Sequence, residues 1–316
     1  MNDIFSKVKQ RFAFSDAELY SYAQTAPHRY KTYYIPKRAS RKKREISQPS
    51  RDLKAIQRFI LSDFLLEKMP FSNHATAYRS GKCITDNATP HLSKRYLLKL
   101  DFSDFFPSIT GPDFQLYLLR ERILQNKDQA NMMTRIFFKD VDGELRLTIG
   151  SPGSPAISNA LLKKFDDSVS SLIGKRSISY TRYSDDLTFS TNEKGLLFSF
   201  HDELIDLIER TDRPHLIVNQ RKTVFSSTKF NRHVTGITIA NDGKMSLGRS
   251  RKRGLRTQVY EAATSSPHEL ASLRGYLAFA RQVEPDFIEA LWRKYPDQMK
   301  IINNAFGSPK RPRSDQ

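Results

Sequence analysis

Two adjacent acids, Asp185 and Asp186, stand between two β-like runs in SYTRYSDDLTFS, residues 179–190. Ser and Asp bond readily to nearby backbone and favour turns, so the pair reads equally as a hairpin turn or as two carboxylates raised on one to hold a metal ion. A third acid, Asp101, ends the compact apolar run YLLKLDF (96–102) and is followed by FSDFFPSI. A carboxylate at the end of a core strand is unfavourable unless it is paired or metal-bound. Between Asp101 and the pair lies GSPGSPAISN (150–159), a turn whose glycines let backbone approach a ligand closely. Acids from separate segments are what a two-metal site needs, with ions about 3.5–4 Å apart clamping a phosphate. Mg²⁺ suits such a site because it prefers hard oxygen ligands and keeps waters or phosphates in its shell. Two other acid clusters read as structural. Asp166 and Asp167 lie mid-helix beside Lys163 and Lys164, a solvated helix face, and Asp140 and Asp142 flank a hairpin turn. Paired His at metal spacing are absent, which removes support for a zinc site.

The elements that must position these residues follow from pattern. SDAE (15–18) has the form of a capping box and predicts a short helix. YKTYYI and REISQP predict two strands joined by the basic tip 36–44. Leu53, Ile56, Ile60, Phe64 and Leu65 recur at helical spacing. FFKDVDGELRLTI predicts a hairpin turning at Asp142-Gly143. A helix follows, with Ser154 as N-cap, Pro155 at its first position, and Ile157, Leu161, Phe165, Val169 and Leu172 along one face. Another helix is predicted in KGLLFSFHDELIDLIE, then strands in HLIVNQRKTVFSS and RHVTGITIANDGKMSL. From about residue 249 the pattern turns helical and basic, and GSPKRPRSDQ reads as a loose tail.

Charge narrows the function class. The 316 residues carry 52 Lys+Arg against 34 Asp+Glu, a formal net charge of +18, which points to a polyanionic partner, nucleic acid ahead of an anionic membrane. Cys83 is the lone cysteine, so no intramolecular disulfide or thiolate metal cluster is expected. MNDIFSKVKQRF lacks the apolar core of a signal peptide and no apolar run approaches a membrane span, so the expectation is a soluble cytoplasmic protein without a membrane partner.

The arrangement resembles the palm of reverse transcriptases, and within that superfamily it is similar to the bacterial retron type. DFSDFF (101–106) resembles the first palm motif, YSDD (183–186) the signature hairpin, and GSPGSPAISN the motif QGxPxSPxxxN. NATPH (87–91) and VTG (234–236) fit two elements of the retron branch, and REISQPSRDLKAIQ resembles the preceding fingers motif. The matches run in order from about residue 30 to 240. Ile149 stands where the family usually has glutamine, which removes an amide near template and incoming nucleotide, and Ser184 stands where it has alanine.

The resemblance implies an α+β right-hand polymerase fold. Residues 1–95 would form N-terminal helices and fingers, 96–240 a palm of antiparallel sheet backed by helices, 241–305 a helical RNA-binding thumb, and 306–316 a disordered tail. It implies an RNA-directed DNA polymerase with two Mg²⁺ ions held by Asp101, Asp185 and Asp186. Phe106 would exclude a ribose 2′-OH and favour dNTPs, and Gly150 would lie by nucleotide and template. Lys222 would protonate the leaving pyrophosphate or neutralise phosphate. Arg44 and Arg79 would grip the triphosphate or the template. Asn87 and His91 would recognise the RNA or support the palm. Arg249, Arg251, Lys252, Arg253 and Arg256 would lie along duplex phosphates. The implied partner is the retron's structured noncoding RNA, copied into branched RNA-linked single-stranded DNA (msDNA), with an effector protein of an anti-phage defence system. The alternatives are another bacterial group of reverse transcriptase and a catalytically silent RNA-binding scaffold.

Overall fold

The computed structural model describes residues 4–36 and 43–304, and the chain divides into two units. Most of the basic tip and the tail from 306 onward lie outside the described residues. Among the described residues no helix is long and apolar enough to cross a membrane.

The first unit comprises residues 1–82 and 98–225. It opens with helices Ile4–Phe12 and Asp16–Thr25, the second started by the expected box, in which the Glu18 amide donates to Ser15 Oγ and the Ser15 amide donates to the Glu18 carboxylate. Strands β1 (Tyr30–Pro36) and β2 (Lys43–Pro49) form an antiparallel ribbon, leading into helix Arg51–Ile60, whose Leu53, Ile56 and Ile60 are buried. Strand β3 (Tyr96–Asp101) ends on Asp101. A small hairpin, β4 (Lys139–Val141) and β5 (Glu144–Arg146), turns at Asp142 and Gly143, both at positive φ (54° and 87°). Asp140 accepts from the Gly143 amide at 3.0 Å, so this acid cluster serves the turn as expected.

The next helix is not the continuous one its apolar face predicts. Ser154–Leu161 and Lys163–Ile173 are separate, with the break at Leu162, and the N-cap is Gly153, which leaves Ser154 as the first helical residue. Strands β6 (Ser179–Tyr183) and β7 (Asp186–Thr191) follow, then helix Leu196–Arg210 and strand β8 (Val224–Ser227). The four-stranded sheet has the order β6-β7-β3-β8, which puts the two acid-bearing segments on neighbouring strands. The expected strand 215–227 is mostly something else: Val218 makes an isolated bridge with Phe102, and Gln220–Lys222 forms a 3₁₀ turn before β8 begins.

The second unit comprises residues 83–97 and 226–316. Strands β9 (Arg232–Val234), β10 (Ile237–Ile239) and β11 (Met245–Ser246) make a three-stranded sheet of order β11-β10-β9. Among the described residues four α-helices follow, Arg249–Tyr260, Pro267–Val283, Pro285–Lys294 and Pro296–Asn304. Their core joins Leu255, Leu273 and Leu291 to Val234 and Ile237 and also to Ala88 and Leu97 from far upstream. The divisions between these two units fall at 82/83, 97/98 and 225/226. Residues 83–97 join the second unit because their burial is satisfied by chain more than a hundred residues away.

Candidate active site

β3 delivers Asp101, 7% exposed, at the end of a buried strand. The amide of the next residue, Phe102, donates to the Asp185 carbonyl at 3.1 Å, so the backbones carrying the two acids are in direct contact. Asp185 lies in the two-residue turn between β6 and β7, where Tyr183 pairs with Asp186 and Ser184 takes φ 60°. Residues 179–190 thus form a hairpin turn, and that turn brings two acids to Asp101. Burial, aided by the Asp101 charge, raises the Asp185 pKa. Burial and then the Asp185 charge push Asp186 up to about 6, against the pull of Lys99.

The 3₁₀ turn supplies the countercharge. Asn219 donates its amide to the Asp101 carbonyl at 2.7 Å, Lys222 bonds back to Asn219, and Lys222 Nζ reaches Asp101 Oδ1 at 2.7 Å. Burial alone would lower the Lys222 pKa, but the hydrogen bond to Asp101 and the charges of all three acids outweigh it and hold the ammonium above its ordinary value. Among the described residues no three His, Cys, Asp or Glu side chains stand as a ready-made ion cage. The acids fit a hard cation in another sense: every donor is a carboxylate oxygen, and crowded negative charge with raised pKa values is what a divalent ion relieves.

Beneath the turn lies a buried network that corrects one expectation. Asp166 is not on a solvated face but 0% exposed. It accepts two bonds from Arg182, Nε to Oδ1 at 2.8 Å and Nη2 to Oδ2 at 2.7 Å, and a third from the Tyr180 hydroxyl at 2.7 Å. Arg182 Nη1 donates to Asn159 Oδ1 at 3.1 Å and to the Ser184 carbonyl at 3.2 Å, and so ties the network to the turn itself. Asn159 Nδ2 in turn donates to the Ala77 carbonyl at 2.8 Å. Asp167, the neighbour, is exposed and paired with Lys163, which does match the expectation.

A cavity of about 350 Å³ in the same unit is lined by Phe106, Gly150, Ile149, Tyr78, Lys54, Arg58 and the start of helix Ser154–Leu161. Gly150 has φ 118°, and a Cβ there would come within 2.9 Å of the Ser47 carbonyl, so only glycine fits. The loop is tied to β2, with the Ser47 amide donating to the Ile149 carbonyl at 2.8 Å. Ser154 Oγ, on the cavity wall, is buried and has no hydrogen-bond partner among the described residues. Arg44 is exposed on β2 and does not line the cavity. Arg79 is drawn inward, with Nη1 donating to the carbonyls of Ser72 and Ala75. The cations at the cavity are instead Lys54 and Arg58, one turn apart on helix Arg51–Ile60. Their signal is an i, i+4 pair of bases opposite Leu53, Ile56 and Ile60, and in sequence such a face is indistinguishable from plain solvent exposure.

In the second unit Asn87 and His91 are both 0% exposed. Asn87 Nδ2 donates to Thr235 Oγ1 at 3.4 Å, so the NATPH and VTG elements are in direct contact. On helix Arg249–Tyr260, Arg249 and Arg253 are exposed, Lys252 is paired with Glu284 at 2.8 Å, Arg251 donates to the Gly236 carbonyl, and Arg256 lies over the Phe287 ring. The basic run is therefore partly consumed by internal contacts.

Comparison with known proteins bears on this geometry. Residues 35–239 match the family model described as reverse transcriptase (RNA-dependent DNA polymerase). The chain is 40% identical over 289 residues to the retron Ec83 reverse transcriptase of Escherichia coli, covering 90% of this chain and 92% of that one. It is 30% identical over 280 residues to the retron Ec86 reverse transcriptase of the same organism, covering 86% and 84%. In three dimensions it is similar to telomerase from Candida albicans, solved with a fragment of telomeric RNA, at a TM-score of 0.50 and 13% identity, covering 91% of this chain and 59% of that one. That likeness speaks to the fold alone.

Proposed function

This chain belongs to the reverse transcriptase family, within it to the bacterial retron type, and is an RNA-directed DNA polymerase; from there we propose that it copies part of a cognate structured noncoding RNA into RNA-linked single-stranded msDNA. The observation that supports the site is the convergence of Asp101, Asp185 and Asp186 on neighbouring strands with Lys222 Nζ on Asp101. Asp101, Asp185 and Asp186 would hold two Mg²⁺ ions, which would polarise the primer hydroxyl and neutralise charge at the α-phosphate. Lys222 carries its proton at Nζ and turns from Asp101 to the leaving pyrophosphate. Phe106 closes the sugar side of the cavity against a 2′-OH, so dNTPs are the substrate. The unpartnered Ser154 hydroxyl and the bases Lys54 and Arg58 offer further contacts to nucleotide or template, beside the weaker candidates Arg44 and Arg79. Residues 83–97 with 226–304 act as the thumb, and the exposed Arg249 and Arg253 meet duplex phosphates. An effector protein of an anti-phage system completes the assembly, as the retron type implies.

The test is dNTP incorporation on RNA that co-purifies with the protein. Asp185→Asn is expected to abolish Mg²⁺-dependent incorporation with an unchanged circular dichroism spectrum, and equal incorporation by this variant would remove the acids from the mechanism. A product sensitive to both RNase and DNase supports the branched msDNA; a product free of RNA places the enzyme in another reverse transcriptase group. Wild type inactive on its cognate RNA would favour the scaffold alternative.

A further inference from the structure

Tyr78 combines three features that packing alone does not explain. It has φ 58°, a left-handed conformation that is an outlier for a bulky side chain. Its side chain is 50% exposed, so the strain is not repaid by burial. Its ring stands 6.4 Å from Phe106 and 6.4 Å from Tyr183 of the acid-bearing hairpin, on the wall of the cavity. Strained backbone persists where surrounding structure over-determines it, and such residues cluster at ligand sites. Here both flanks are fixed. The Ala77 carbonyl is held by Asn159, itself bonded to Arg182, and Arg79 is pinned to the carbonyls of Ser72 and Ala75.

We infer that Tyr78 is a positioning residue for nucleotide selection, its ring buttressing Phe106 from the side of Tyr183 so that Phe106 cannot yield to a ribose 2′-OH. The inference rests on the reading of Phe106 as the sugar-side wall and deepens it. Phe106 is only partly buried and follows directly on Phe105, which packs into the core against Phe102, so one side of the Phe106 ring is left to the cavity. Without a second wall, rotation of that ring would admit the larger sugar. The aromatic contact with Tyr78 supplies that wall, and the strained backbone keeps the tyrosine from following Phe106 away.

The experiment measures kcat/KM for each dNTP and its matching rNTP on an RNA template. Tyr78→Gly, which takes positive φ freely, is expected to lower the dNTP-over-rNTP ratio about tenfold, the scale of a lost side-chain wall in a substrate pocket. Tyr78→Phe is expected to keep the wild-type ratio, because the ring and not the hydroxyl acts. In a Phe106→Ala background Tyr78→Gly is expected to change nothing further, since the two act as one unit. Should Tyr78→Gly fail to fold, Tyr78→Asn, which tolerates the same conformation, carries the same expectation. An unchanged ratio in the glycine or asparagine variant, or an equal additional loss in the Phe106→Ala background, would overturn the inference. Wild-type discrimination by Phe106→Ala alone would overturn the assignment of Phe106 first, and this inference with it.

Discussion

At the scale of single residues, Asp166 and Asp167 make a direct comparison, because identical side chains one position apart have opposite surroundings. Asp166 and Arg182 are both 0% exposed and doubly bonded, so Asp166→Asn leaves a buried guanidinium without its charge partner and is expected to destabilise by about 3–5 kcal/mol. Asp167 forms an exposed i, i+4 pair with Lys163, and Asp167→Asn is expected to change stability by less than about 0.5 kcal/mol. Urea unfolding of the two variants checks both figures, and equal losses would mean that the network beneath the turn does not carry charge. The distinction was within reach of the sequence, though not by composition. Leu162, Phe165, Val169 and Ile173 are buried along one stripe, and Asp166 falls on that stripe while Asp167 falls off it. In β6, alternation puts Tyr180 and Arg182 on one face, which provides the partners. What the residue pattern could not convey was that a charge on the stripe had a charge waiting for it sixteen residues later. Asp101 and the 185–186 pair were legible because an acid closing an apolar strand is conspicuous by itself; Lys54, Arg58 and Tyr78 were not, because bases on a helix face and a tyrosine in a loop have ordinary surface roles nearly everywhere.

At the scale of elements, signals between near neighbours place helices and turns, whereas contacts that close over long stretches of chain leave no local mark. The Ser15 box, the Asp142-Gly143 turn and the helix of residues 196–210 follow from nearest neighbours, and all form where their signals stand. The 220–222 turn interrupts what reads as one strand because it lets Lys222 fold back to Asp101, a tertiary demand with no local mark. The short helix Ile84–Ala88 and the turn Thr89–His91 are the other such case, since their partners are β9, β10 and the C-terminal helices. That packing has a titratable consequence. Burial, with the Lys94 charge second, pushes the His91 imidazole down to about 3, below the ordinary 6.5. The folded state refuses a proton that the unfolded chain accepts. The stabilisation from neutral His91 is therefore complete above pH 6.5 and lost as pH falls through the window toward 3, at up to about 1.4 kcal/mol per pH unit. His91→Asn removes this group alone. The stability gap between wild type and variant is expected to narrow as pH is lowered from about 6 to 4, the other titrating groups cancelling in the difference. Parallel pH profiles from denaturant midpoints would show that His91 is protonated within the fold.

At the scale of the whole molecule, the net charge of +18 attracts any polyanion, and a field of that kind does not say where the nucleic acid lies. The salt dependence of binding does, because its slope counts phosphates contacted and not charges carried. Of the five bases on helix Arg249–Tyr260, Lys252 is engaged by Glu284, Arg251 by the Gly236 carbonyl and Arg256 by the Phe287 ring, and the exposed Arg249 and Arg253 show no such contact among the described residues. Each phosphate contact contributes about 0.9 to the slope of log K against log salt, so replacing both by glutamine is expected to make that slope shallower by about 1.8. Replacing the exposed Lys7 and Arg11 of the first helix removes the same net charge and is expected to leave the slope unchanged. Lys252→Gln should instead lower the thermal midpoint, because Glu284 also holds the Leu247 amide and the Ser246 hydroxyl and loses its cation, with little change in slope. An RNA–DNA heteroduplex titrated across a range of KCl separates these cases. Equal shifts from the two paired replacements would mean that the protein's overall field, and not the basic helix, holds the duplex.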